Sequence, residues 1–183
     1  MSASNTVDDI WRSYQITLDC LKIANHSIVN NDISSLAKTG FIGSPQDEAK
    51  RQIMESRSNA DDYVILSLWA SFERTLLSYV QGESNRILAE PTTNFTRSVH
   101  QKIDDEIEYW RVDDILNIFK IIISPDLIGQ AKQVKKYRDW VAHRNIKKGS
   151  PPNVPPQTAY TILSEILKQL TNHACFQTSI QVA

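Results

Sequence analysis

Glycine and cysteine are scarce in this sequence. Its 183 residues include five glycines and two cysteines. We find no glycine-rich loop that could cradle a phosphate and no nucleophile elbow, which argues against a nucleotide-binding fold built on glycine turns. Cys20 and Cys175 give neither a disulfide framework nor a metal-ligand spacing. We therefore expect two reduced, half-buried thiols.

Long apolar runs are also missing. The apolar run from Ile115 to Ile123 is interrupted by Asn117 and Lys120 and is far shorter than a membrane span. The first residues include acids and contain no apolar signal core. These absences predict a cytoplasmic protein with no membrane partner.

No segment shows the alternation of apolar and polar residues that is typical of a strand. The chain is 41% hydrophobic, which is enough for one globular domain covering residues 1–183. Helical periodicity predicts an all-α, up-and-down antiparallel bundle of five or six helices. The predicted helices run from Asn5 or Thr6 to about Leu36, from Gln46 to Tyr79, from Arg97 to Tyr109, from Asp113 to Ile123, from Pro125 to the region of His143, and from Thr158 to about Asn172.

Several local features refine this prediction. Gly82 is placed to end the second helix, and Tyr63 is one of the residues available for burial on it. The polar stretch from Gln81 to Thr96 is predicted to be irregular. The helix from Asp113 to Ile123 is apolar nearly all round, which favours full burial or a subunit interface. Four prolines between Gly149 and Pro156 predict an extended linker.

The third predicted helix carries a run of acids. Val99, Ile103 and Ile107 are expected to face inward. The acids raise the possibility of a metal site, but most are adjacent in sequence and point around the helix, so a solvated face is favoured. The run could instead meet a basic surface of another chain. The acids are Asp104, Asp105, Glu106 and Glu108.

The helix that begins after Ser124-Pro125 has the most distinctive polar side. Serine can cap its free amides, and proline fits its first turn. At roughly 100° per residue, Lys135, Asp139 and His143 lie on one line opposite the apolar stripe, so Asp139 could accept the imidazole N–H of His143. Arg138 is turned about 140° away from His143. The stripe consists of Leu127, Ala131, Val134, Tyr137 and Val141.

Positive charge is concentrated at the end of this helix, although the formal net charge of the chain is only −1. Between residues 135 and 148 a single acid, Asp139, stands among six cations. Such a patch suits an anionic polymer such as RNA. The candidate RNA-binding residues are Lys135, Lys136, Arg144, Asn145, Lys147 and Lys148, with Arg138 as the sixth cation.

The segment Arg138-Asp139-x-x-x-His143 resembles the Arg-x4-6-His pattern of HEPN domains, in which a polar residue follows the arginine directly. The run RDWVAHRN is similar to ribonuclease members from toxin–antitoxin and antiviral defence systems. The run LWASFERTLLSYV resembles the core helix that packs beside the motif helix in that group, which suggests Glu73 as a supporting residue. A solvated glutamate paired with a neighbouring arginine is the alternative for Glu73.

The resemblance implies a metal-independent endoribonuclease that needs no cofactor. His143 would be the acid/base group, Arg138 the phosphate clamp, and Asp139 or a nearby group would orient the pair. The resemblance also implies a homodimer, in which two motif helices form one cleft, and an antitoxin or defence-system partner protein. In members that are silenced by nucleotide transfer, a tyrosine stands two places after the histidine. Here that place is Asn145, so this control is not expected.

Three other interpretations remain open. Cations at a helix C-terminus interact well with its negative end, so the motif could be ordinary helix-terminus chemistry. The chain could also be a non-catalytic HEPN-like module that binds RNA, a nucleotide or a partner protein, or a helical assembly protein without a nucleic-acid function. The remaining histidines, His26, His100 and His173, are expected to be surface or half-buried residues.

Overall fold

The computed structural model describes residues 3–88, 93–143, 149 and 151–173. Within these ranges the chain forms seven α-helices and two 3-10 turns and contains no strand, which confirms the all-α class. None of the helices in these ranges is long and apolar enough to cross a membrane. The α-helices are α1 (Ala3–Val29), α2 (Ile33–Leu36), α3 (Gln46–Leu88), α4 (Asn94–Glu106), α5 (Val112–Ile118), α6 (Pro125–His143) and α7 (Pro156–Asn172), and the 3-10 turns are Ile107–Tyr109 and Phe119–Ile121.

Helices α1 and α3 form an antiparallel hairpin. Near the middle of α1, the Tyr14 hydroxyl donates to Asp61 Oδ1 at 2.5 Å. At the end of α1, the Ile28 carbonyl accepts from the side-chain amide of Gln46, the first residue of α3. Residue numbers thus rise along one helix as they fall along the other.

Helices α6 and α7 complete the bundle. The ring of Phe119, just before α6, lies against Tyr79 of α3, whereas Tyr137 near the end of α6 donates to Asp62. Helix α6 therefore runs antiparallel to α3. Early in α7, Tyr160 donates to Asp8 of α1, and His173 beyond its end is hydrogen-bonded to Tyr79. The four long helices alternate in direction along the chain, as the predicted up-and-down arrangement requires.

The main core lies among these four helices and the segment around α5. Trp69, Phe72 and Leu76 of α3 are fully buried. All six apolar residues predicted to face the core on α7 are buried because they recur at helical spacing along one face. They are Ala159, Ile162, Leu163, Ile166, Leu167 and Leu170.

A second, smaller cluster packs at the far end of the α1–α3 hairpin. It consists of Ile28, Ala49 and Ile53, with Phe41 of the connecting segment half-buried against them. The expected helix to Leu36 breaks just after Ile28 of this cluster, since α1 ends at Val29 and Asn31 adopts a left-handed conformation with φ 51°. Helix α2 is the additional helix that results from this break.

Asp32 explains why the chain starts a new helix there. Its carboxylate accepts from the amides of Ser34 and Ser35 in the first turn of α2. Hydrogen bonds from the Ser34 and Ser35 side chains, together with these amides, lower the pKa of Asp32 to about 2. Asp32 was not singled out from the sequence, because the apolar periodicity was followed through to Leu36.

The predicted end of the second helix at Gly82 is wrong. Helix α3 continues to Leu88, and α4 begins at Asn94. The predicted irregular segment over 81–96 is therefore helical at 81–88 and at 94–96, whereas 93 is irregular and 89–92 lie outside the described residues. Glycine inside a helix costs about 1 kcal/mol relative to alanine. Burial of Leu76, Leu77 and Ser84 on either side of Gly82 offsets this cost.

Some predicted burial also proves wrong. Tyr63 is 60% exposed, because it lies about 100° round the helix from Val64 and the buried side of α3. Val99 is exposed as well. The helix predicted over 113–123 divides into α5 and a 3-10 turn, and the change of period leaves Ile118 exposed and Ile121 88% exposed. Full burial of this segment is therefore excluded.

The structure also places one cysteine and most of the predicted linker. Cys20 is exposed on α1 rather than half-buried, because it lies on the face opposite the core; Cys175 lies outside the described residues. Residues 149 and 151–155 have no regular secondary structure, as expected of a linker, and α7 begins at Pro156. Within that segment Val154 packs against the main core.

Replacing Tyr14 by phenylalanine should weaken the α1–α3 hairpin. Burial, together with the hydrogen bond to Asp61, raises the pKa of Tyr14 well above its ordinary value. We expect Tyr14→Phe to lower the free energy of unfolding by about 1–2 kcal/mol, since a hydrogen bond to a carboxylate is lost. Denaturant unfolding measures this difference, with Tyr63→Phe as the matched control.

The difference should depend on pH in a defined direction. Because the folded pKa of Tyr14 is raised, its contribution is fully present below the unfolded value of about 10 and is lost as the pH rises towards the folded pKa. The stability difference between the wild type and Tyr14→Phe should therefore stay constant from about pH 7 to about pH 9 and narrow above about pH 10. A gap that widens at alkaline pH would contradict this assignment.

Candidate functional site

Helix α6 is held in a fixed rotation by its apolar stripe. The Ser124 hydroxyl accepts from the amide of Leu127, which confirms the predicted start of the helix. Ala131, Val134 and Val141 are buried, and Tyr137 is buried as its helical position predicted. With these residues facing the core, the residues between them lie at the edge where α6 meets α3 and α5.

Arg138 lies at this edge and binds two carboxylates. Its Nη2 donates to Glu73 Oε2 at 3.1 Å, and its Nη1 lies 3.0 Å from Asp139 Oδ1. The guanidinium carbon is 5.3 Å from the centre of the Trp69 ring, which is within the range of a cation–π contact. The side chain is only 23% exposed, so the guanidinium is held rather than free in solvent.

Glu73 is itself fixed by the core. Its Oε2 accepts from the indole N–H of Trp69 at 2.9 Å as well as from Arg138, and Trp69 is 1% exposed. Glu73 thus reaches the motif arginine and pairs with it across 65 residues of sequence. The sequence did not single out Trp69 for this contact, although its spacing of four residues from Glu73 on one helix was a usable signal.

One donor of Arg138 is left over. Its Nε is buried and has no hydrogen-bond partner within the described ranges. A buried donor without an acceptor costs about 1–3 kcal/mol. Departures of this kind from full hydrogen bonding are concentrated at functional sites, so the arginine is not optimised for structure alone.

Lys135 belongs to the same network. Its Nζ lies 3.0 Å from Asp139 Oδ2 and 3.4 Å from Asp113 Oδ2 of α5. Burial lowers the pKa of Lys135, but the hydrogen bond and charge of Asp139, with those of Asp113, outweigh it and raise the pKa above its usual range. Lys135 and Arg138 of the predicted patch therefore face three carboxylates. Asp139 lies on the same helix, and Asp113 and Glu73 come from α5 and α3.

His143 is the last residue of α6 and is exposed. Within the described ranges no hydrogen bond joins it to Asp139, whose two oxygens bind Arg138 and Lys135 instead. The imidazole is therefore accessible for proton transfer, but it is not oriented by the carboxylate that the sequence suggested.

The other candidate residues are only partly located. Lys136 is exposed on α6, and Trp140 is half-buried with its ring 5.9 Å from that of Tyr137. The remaining candidates for RNA binding, Arg144, Asn145, Lys147 and Lys148, lie outside the described residues.

The other histidines and the acidic run have local partners. His26 is exposed and hydrogen-bonded to Asn30, and half-buried His100 lies between Ser84 and Asp104. In the acidic run, Glu106 pairs with Lys102 and Glu108 with Arg74. In the part of the chain that the structure describes, no group of three or more histidines, cysteines or acids could hold a metal ion.

Comparisons with protein-family models, with curated proteins and with solved structures found no match to this chain.

Proposed function

We propose that this protein is a metal-independent endoribonuclease of HEPN type, with a role in a toxin or defence system. The observation that carries the proposal is the contrast between the two motif side chains. Arg138 is held by Glu73 and Trp69, whereas His143 is exposed five residues later at the end of the same helix. A fixed guanidinium can stabilise the charge that develops on the phosphate, and an accessible imidazole can transfer protons, which are two of the roles in RNA cleavage without a metal.

RNA supplies its own nucleophile. The 2′-hydroxyl oxygen attacks the adjacent phosphorus, the P–O5′ bond breaks, and a 2′,3′-cyclic phosphate and a 5′-hydroxyl are formed. One base removes the 2′-proton, and one acid donates a proton to the departing 5′-oxygen. In this scheme His143 transfers protons, and Arg138 donates N–H groups to the phosphate oxygens as negative charge develops there.

A homodimer would supply the groups that one chain lacks. Arg138 and His143 differ by about 140° in direction around α6, so one chain presents them on different sides of the helix. Two α6 ends that meet in a cleft would pair the arginine of one chain with the histidine of the other and would provide both a base and an acid. A cytoplasmic antitoxin or defence-system partner would then control a protein whose substrate is cellular RNA.

A second function is favoured by the charge balance at Arg138. Its two terminal nitrogens already face carboxylates, and Lys135 is paired twice. A non-catalytic HEPN-like module that binds RNA, a nucleotide or a partner protein would be compatible with such a neutralised site. It would show salt-sensitive RNA binding that survives His143→Ala, without cleavage at any pH.

Incubation of mixed-sequence single-stranded RNA with the purified protein in EDTA separates the two functions. We expect cleavage products with 2′,3′-cyclic phosphate ends, because the nucleophile is the RNA's own 2′-hydroxyl and no metal takes part. Identification of the product ends is the decisive measurement. Intact RNA would overturn the ribonuclease and leave the binding module as the better explanation.

A further inference from the structure

Asp139 bridges the two cations of the network in a way that resembles a bound anion. Its Oδ1 lies 3.0 Å from Arg138 Nη1, and its Oδ2 lies 3.0 Å from Lys135 Nζ. Two oxygens on one atom, each bound to a different cation, are also what a phosphodiester presents. The carboxylate therefore occupies the position in which a phosphate group would bind both cations.

The contacts of the network differ in how easily they exchange. Glu73 is held in place by the core, because its Oε2 accepts from the buried Trp69 indole as well as from Arg138. Asp139 accepts a hydrogen bond from Lys135 alone within the described ranges, its contact with Arg138 is an ion pair, and its side chain is 38% exposed against 30% for Glu73. An incoming anion would therefore displace Asp139 and leave the contact between Arg138 and Glu73 in place.

The charges around Lys135 and Arg138 disfavour anion binding while Asp139 is in place. Lys135 and Arg138 contribute +2, and Asp113, Asp139 and Glu73 contribute −3, which leaves −1. A polyanion gains no net attraction from such a group of charges. With the charge of Asp139 removed, the sum is zero, and Lys135 Nζ and Arg138 Nη1 each lose the charged oxygen that lies 3.0 Å away.

We propose that Lys135 Nζ and Arg138 Nη1 form a phosphate-binding site for the RNA backbone and that Asp139 occupies this site in the free protein as an internal competitor. The proposal rests on the proposed function for the identity of the anion. It assigns Asp139 to substrate admission rather than to orienting His143. Binding of RNA then requires the Asp139 side chain to turn out of the site.

The test is the affinity for a short fluorescent 2′-O-methyl RNA, which cannot be cleaved because its 2′-oxygen is blocked. We expect Asp139→Asn to bind this RNA about five- to tenfold more tightly than the wild type, as removal of one charge in direct contact with the site predicts. Fluorescence anisotropy at constant salt measures the dissociation constants. Asparagine has the shape of aspartate, and circular dichroism verifies that the variant is folded.

Two controls separate the site from a general gain of positive charge. Asp47→Asn makes the same change of charge at the start of α3, about 39 Å along that helix from Glu73, and should leave the affinity unchanged because salt screens such a distance. Asp113→Asn frees Lys135 from one carboxylate but leaves Asp139 in place, so its gain should be much smaller. Equal gains in all three variants would overturn the proposal.

A double variant adds a stricter criterion. If the gain arises at the proposed site, Lys135→Gln combined with Asp139→Asn should remove most of it, so that the two substitutions are strongly coupled. Additive effects would contradict a shared site. The result can also be separated from that of the proposed function. Unchanged affinity in Asp139→Asn, together with RNA cleavage by the wild type, would reject only the role of Asp139 as a competitor. Tighter binding by Asp139→Asn without any cleavage by the wild type would reject only the ribonuclease activity.

Discussion

His143→Ala should abolish RNA cleavage while the protein remains folded. General acid–base catalysis contributes about 10²- to 10⁴-fold in rate, so the loss of the only proton-transfer group in the proposed site should bring cleavage to background. The imidazole is exposed at the last residue of α6 and has no hydrogen-bond partner within the described ranges. Its removal should therefore leave helicity and self-association unchanged. Rates of RNA cleavage, circular dichroism and sedimentation of both proteins are the measurements.

His26→Ala is the matched control for this experiment. His26 is also an exposed histidine in the last turn of a helix, where a cation interacts favourably with the helix dipole. Its replacement by alanine makes the same chemical change at a site outside the network, so we expect full cleavage activity. Retained cleavage in His143→Ala, or an equal loss in His26→Ala, would contradict the role of His143.

Arg138→Lys should lose most of the activity although the charge is kept. Arginine can donate to Glu73, to Asp139 or a phosphate, and stack on Trp69 at once because its guanidinium is a planar fork. A lysine ammonium lacks this geometry. We expect cleavage to fall about 10²- to 10³-fold, the usual effect of removing a positioned donor from a developing negative charge.

Stability measurements distinguish this effect from unfolding. Arg138→Ala should abolish cleavage and also lower the free energy of unfolding by about 1–3 kcal/mol, because the half-buried Glu73 loses a charged partner. Arg138→Lys should retain more of that stability. Arg74→Lys, in an exposed ion pair with Glu108, is the control and should change neither activity nor stability. Wild-type cleavage by Arg138→Lys would contradict the phosphate-clamp role.

Local signals in the sequence were sufficient for much of the fold. Ser124-Pro125 predicted the start of α6 correctly, and the apolar spacing of α7 identified every one of its core residues. The misplaced end at Gly82 has a physical cause, since a weak local preference for a helix end is overcome by tertiary burial on both sides. The exposed Ile121 shows the same limit, because periodicity cannot anticipate where a helix tightens into a 3-10 turn.

The environment of Arg138 was much harder to predict. A count of charges along residues 135–148 finds only Asp139 as an acid, and on that basis the region is strongly cationic. Asp113 and Glu73 reach the same place from α5 and α3 and are 25 and 65 residues away from Arg138 in sequence. Charge balance at a site depends on such long-range contacts, so the sequence alone could name Arg138 but not the groups that occupy it.

The second cluster at the tip of the α1–α3 hairpin is packed separately from the main core. Helix α3 has 43 residues and α7 has 17, so α3 extends far beyond the four-helix region. At the tip, Ile28, Ala49 and Ile53 are covered by two long helices and a short connection rather than by a full bundle. Opening of this end costs only its own small core. The amides around it can exchange with solvent while Trp69 and Glu73, which lie farther along the same helix, keep Arg138 in position.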